Sequence, residues 1–73
     1  MERGRLDMTV LDVTARCRGE FLEMPGMRLT LPQAARFLGI DIATCERALE
    51  QLVDSGFLRK TGSAYTRSGV VRD

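Results

Sequence analysis

The chain has 73 residues, 44% of them hydrophobic and 29% charged, with a formal net charge of +1 and no histidine. Such a length makes one domain with a thin core, burying only about 60% of the surface its unfolded form exposes. The composition is that of a soluble globular domain and argues against disorder.

Other classes fall away in turn. No apolar run approaches the roughly 18 residues that a membrane span requires. Met1-Glu2-Arg3-Gly4-Arg5-Leu6-Asp7 carries two acids and leads into no apolar stretch, so it does not read as a signal peptide. Without histidine a small hydrolase lacks its commonest general base, and the usual zinc-finger spacings cannot be written. The chain is expected to be no enzyme and to need no cofactor or metal. Cys17 and Cys45, separated by 27 residues and each on an apolar helical stripe, read as small buried core residues rather than a disulfide. A secreted domain of this size normally carries more pairs, so the expected compartment is the reducing cytoplasm.

The small net charge hides a gradient. Residues 1–26 carry four Arg against five acids, and residues 27–58 carry three Arg against four acids. Residues 59–73 hold Arg59, Lys60, Arg67 and Arg72 against Asp73 alone. A basic end on a neutral body can touch phosphate locally without long-range steering.

Residues 1–7 read as a flexible arm. A helix is expected over 9–24, opened by a weak capping box of Thr9 and Asp12. At about 100° per residue, Val10, Val13, Cys17, Phe21 and Met24 share one stripe, the core face. Leu11, Ala15 and Leu22 form a second apolar stripe that one small core does not cover. Pro25-Gly26 stops the helix. Met27-Arg28-Leu29 has room for no more than a brief edge strand.

Thr30 and Gln33 write a capping box for a helix over 31–38, with Pro32 in the first turn, where its missing N–H costs nothing. Gly39 ends it in a left-handed cap. Asp41 then caps a helix over 42–54 that buries Ile42, Cys45, Leu49, Leu52 and Val53. Ser55-Gly56 closes this third helix. Phe57 to Arg67 reads as a hairpin around Gly62-Ser63, and a leading glycine suits a type II′ turn. Residues 68–73 form a short tail. The expected shared core is Cys17, Phe21, Leu38, Ile40, Leu49, Leu52 and Leu58.

Two short helices joined by a tight glycine-led turn form a helix-turn-helix signal. Gly39 supplies the turn, Ile40 plugs the angle, and Ala35 is small where the helices cross. The segment Leu29–Arg67 resembles the winged helix-turn-helix domain of bacterial transcriptional regulators. The resemblance lies in Leu31-Pro32-Gln33-Ala34-Ala35-Arg36-Phe37-Leu38-Gly39-Ile40-Asp41 and in Ala48-Leu49-Glu50-Gln51-Leu52-Val53-Asp54-Ser55-Gly56-Phe57-Leu58. It implies a mainly α fold with a small β-hairpin: three helices and a wing, in a single domain over 1–73.

The resemblance also implies that helix 42–54 enters the major groove of double-stranded DNA. Its exposed arc would hold Ala43, Thr44, Glu46, Arg47, Glu50, Gln51 and Asp54. Arg47 suits a guanine edge, Gln51 an adenine, and Thr44 a phosphate or a thymine methyl. Arg36 would reach backbone phosphate, and Arg59, Lys60 and Arg67 would flank the wing. Homodimers read two half-sites, and Leu11, Ala15 and Leu22 offer a self-complementary interface.

Each assignment has a plainer counterpart. Arg47 can pair with Glu50 on the helix surface, and Arg59 and Lys60 can protect a strand edge. Tyr65 reads as packing beneath the wing. Asp41, Glu46, Glu50 and Asp54 make the third helix acidic, although cation–phosphate contacts dominate DNA affinity. A winged helix that docks a protein partner and touches no DNA is therefore the alternative function.

Overall fold

The computed structural model describes residues 9–68. The arm expected over 1–7 and all but Ser68 of the tail lie outside the described residues. The first described element, α1 (Val10–Glu23), is opened by a reciprocal capping box. The Thr9 hydroxyl accepts from the Asp12 N–H at 3.1 Å, and the Thr9 N–H donates to the Asp12 carboxylate at 3.2 Å. Two donors that a helix start leaves unpaired are thereby satisfied.

After the Pro25-Gly26 turn comes β1 (Leu29–Thr30), and α2 (Leu31–Leu38) follows with no gap. Thr30 is thus the last strand residue and also the N-cap of α2. Its hydroxyl accepts from the Gln33 N–H while its own N–H donates to the Gln33 side chain at 2.9 Å. Gly39, at φ +72°, ends α2 in the left-handed region, and the Ile40 N–H reaches back to the Ala35 carbonyl at 3.0 Å. That six-to-one bond is the Schellman closure. Asp41 then caps α3 (Ile42–Asp54) by accepting from the Thr44 N–H at 2.9 Å. The same closure ends α3, with Gly56 at φ +86° and the Phe57 N–H on the Leu52 carbonyl.

The hairpin consists of β2 (Leu58–Thr61) and β3 (Ala64–Arg67) around Gly62-Ser63, with Gly62 at φ +64°. Opposite pairs are Leu58 with Arg67, Arg59 with Thr66, Lys60 with Tyr65 and Thr61 with Ala64. On the other side of β3, Leu29 pairs with Tyr65 and Thr30 with Ala64, so the antiparallel sheet runs β1-β3-β2.

One core joins all the layers. Val13, Cys17 and Phe21 of α1 cluster with Cys45, Ala48, Leu49 and Leu52 of α3, Ala34, Ala35 and Leu38 of α2, and Leu58 and Tyr65 of the sheet. Fully burying a side chain such as Phe21 or Leu49 stabilises by about 1.5–3 kcal/mol. Alanine at three of these positions lets the helices approach closely.

Five expectations of burial need correction. Ile42 is 50% exposed. It is the first residue of α3, and a helical Cβ tilts toward the N-terminus, so its side chain projects off the helix end. Met24 is 45% exposed because, as the C-cap of α1, it has left helical geometry at φ −129°, ψ 78°, and the stripe no longer predicts its direction. Ile40 is only partly buried, packed against the core from the turn, and Val10 and Val53 are likewise only partly buried against it. The second stripe of α1 does face solvent, with Leu11 72% and Leu22 48% exposed and Ala15 exposed beside them.

Candidate nucleic-acid interface

The buried positions of α3 define its free arc. Cys45, Ala48, Leu49 and Leu52 face the core, while Ala43, Glu46, Arg47, Glu50, Gln51 and Asp54 are exposed and Thr44 is half-buried. At about 100° per residue this arc divides. Thr44, Arg47 and Gln51 lie on one flank, Glu46 and Glu50 on the other, and Ala43 and Asp54 between them. Arg36 is exposed in the last turn of α2. The Asp41 carboxyl is held below the usual carboxylate range, first by the Thr44 N–H and then by the Thr44 hydroxyl. Its charge is committed to capping.

The pairing register separates the three cations expected along the wing. Side chains of residues directly opposite in an antiparallel pair share a face. Leu58 and Tyr65 are buried, so Lys60 and Arg67 share the inner face and Arg59 points outward. Arg67 is half-buried, its guanidinium 4.6 Å from the centre of the Phe57 ring and its Nε buried without a hydrogen-bond partner. Arg18 of α1 lies over the same ring at 5.1 Å. Both distances are within cation–π range. Lys60 places its ammonium 5.6 Å from the centre of the Tyr65 ring. Arg59, Arg47 and Arg36 are the predicted cations that no aromatic ring engages among the described residues.

Between the wing and the C-terminal half of α3 lies a cleft of about 300 Å³, lined by Glu50, Val53, Asp54, Lys60 and Tyr65. This grouping was not read from the sequence. Its signal was present, because a two-residue loop at Gly62-Ser63 sets Lys60 opposite Tyr65. The pairing of Arg18 with Phe57 has no such signal, since it depends on how α1 sits against the base of the wing.

This order of three helices and an antiparallel sheet also occurs in a known structure. YtrA from Sulfolobus acidocaldarius, a GntR-family transcription factor, matches with a TM-score of 0.61 at 26% sequence identity. The chain has the winged helix-turn-helix fold. The match covers 82% of this chain and 59% of YtrA, so this chain spans less than two thirds of the neighbour's length. YtrA is archaeal, and the structural likeness therefore reaches beyond the bacterial regulators that the sequence resembles. No family model matches the sequence, and no curated protein does.

In this fold α2, the Gly39 turn and α3 form the helix-turn-helix, and β2–β3 the wing. The two thiols stand apart from this surface. Burial, then Cys45 and Glu20, pushes the Cys17 thiol up to about 11, and burial raises that of Cys45. Among the described residues no helix is long and apolar enough to cross a membrane.

Proposed function

We propose that this chain is a DNA-binding winged-helix protein that acts as a transcriptional regulator. The carrying observation is the likeness to a GntR-family transcription factor. The Thr44–Arg47–Gln51 flank of α3 is the base-reading surface, with Ala43 at its leading end. Arg36 and Arg59 hold phosphate on either side of it. Lys60 and Arg67 support the wing that carries Arg59.

The test is a titration of labelled duplex at two salt concentrations. Arg59→Gln weakens binding to every sequence alike and lowers the salt slope by about one unit. Arg47→Ala costs about 1–3 kcal/mol on a preferred site and little elsewhere. Wild-type protein that binds no duplex at low salt would end this reading.

In the same reading two copies pair through Leu11, Ala15 and Leu22, whose exposure leaves an apolar face on α1. Leu11→Glu with Leu22→Glu yields a folded monomer, as sedimentation would show. A wild-type chain that sediments as a monomer at high concentration removes the dimer.

A second reading has one observation in its favour. Glu46, Glu50 and Asp54 are all exposed on α3, which suits a protein partner better than a phosphate backbone.

A further inference from the structure

Glu50 and Asp54 of α3 line the cleft beside the wing, and we propose that Lys60 is an internal counter-ion for these two acids, lowering their repulsion of a duplex docked on the Thr44–Arg47–Gln51 flank. This rests on the DNA-binding reading above. The register opposite Tyr65 turns Lys60 to the inner face of the hairpin, whereas its neighbour Arg59 faces out. The Tyr65 ring lies 5.6 Å from the ammonium. Glu50 and Asp54 line the same cleft of about 300 Å³, with Val53 between them in sequence.

A phosphate that approaches α3 meets the field of these two carboxylates. A cation in so small a cleft lies within about one Debye length of them, roughly 8–10 Å, and offsets that field. The ring face favours the ammonium over solvent-only positions. Glu46, nearer the start of α3, does not line the cleft and keeps its charge. The wing-facing flank therefore stays unfavourable to phosphate near Glu46, and the Thr44 side is the open approach.

A counter-ion and a direct phosphate contact predict different coupling. Four proteins separate them: wild type, Lys60→Gln, Glu50→Gln with Asp54→Asn, and the triple variant. Each is titrated into a labelled random-sequence duplex at low salt and melted thermally without DNA. The counter-ion role predicts that Lys60→Gln lowers the melting temperature in the wild-type background and hardly at all once both acids are neutral, whereas Arg59→Gln shifts it equally in both. On DNA, Lys60→Gln weakens binding several-fold in the wild-type background, and no loss there overturns the proposal.

If wild type binds no duplex, the DNA-binding reading fails with its docking flank, and the melts decide the counter-ion. A drop in melting temperature from Lys60→Gln that vanishes in the acid-neutral background upholds it. An equal drop in both backgrounds, or none, overturns it.

Discussion

Leu49→Ala tests the core at its centre. Leu49 has no solvent exposure and stands on α3, where α1 and the sheet close over the same helix. Replacing leucine by alanine at such a site costs about 2–5 kcal/mol, the lost transfer energy plus that of the cavity left behind. The upper half of that range applies here. Ala34, Ala35 and Ala48 share the cluster and have no length to swing into the void. Each helix is capped at its start, and α2 and α3 are also locked by a Schellman closure at the end, so the backbone resists collapse. A domain of this size holds about 4–11 kcal/mol in total. With a urea slope near 1 kcal/mol/M for so small a protein, the midpoint should fall by about 3.5–5 M or the folded baseline should vanish. Leu22→Ala, on the exposed face of α1, is the control and in the monomer should stay within about 0.5 kcal/mol of wild type. A Leu49→Ala midpoint within about 0.5 M of wild type would refute the packing described here.

Two glycines should respond with opposite signs. Gly39 adopts φ +72°, so Gly39→Ala should destabilise by about 1–2 kcal/mol. Gly19 lies inside α1 with open space where a Cβ would go, and Gly19→Ala should stabilise by about 0.5–1 kcal/mol in the monomer; chemical denaturation reads both. The Asp41 carboxyl pKa is lowered in the fold, so its contribution is present above its unfolded value of about 4 and disappears as pH falls through the lower folded value. The gap in melting temperature between wild type and Asp41→Ala should therefore be constant at neutral pH and close in acid. Cys17 and Cys45 are buried and their thiols raised, so a thiol reagent should label them only as fast as the protein unfolds. Ionisation of the unfolded thiols should also erode stability from about pH 8.5 upward until the folded Cys17 titrates near 11.

Element order and boundaries were legible because the chain punctuates them locally. Thr9, Thr30 and Asp41 start helices with a side chain and the next turn of backbone, and Gly39 and Gly56 stop them with a positive φ. Neither device needs a distant partner. Burial at helix ends was less legible. Ile42 and Met24 fit a stripe by periodicity, but a stripe carries no information about where the packing neighbours stop. The interface was legible as a set of residues and not as a geometry. Arg59, Lys60 and Arg67 look alike in sequence, and only the register of β2 on β3 sends them to different faces. Once the two-residue loop is accepted that register follows, so the split of Arg59 from Lys60 could have been deduced. The stacking of Arg18 and Arg67 on Phe57 could not, since it joins residues 49 apart through tertiary placement of α1.

Thr30 makes the wing and the helix-turn-helix a single mechanical part. Its backbone lies opposite Ala64 in the sheet, and its side chain holds the first turn of α2. A slip of one residue between β1 and β3 would turn Leu29 and Tyr65 away from each other at the residue adjoining the cap of α2. Any force on the hairpin is thus delivered to the start of α2 over the length of one residue, with no hinge between them to absorb it. At this junction the wing and the start of α2 have no spacer that would let them move apart.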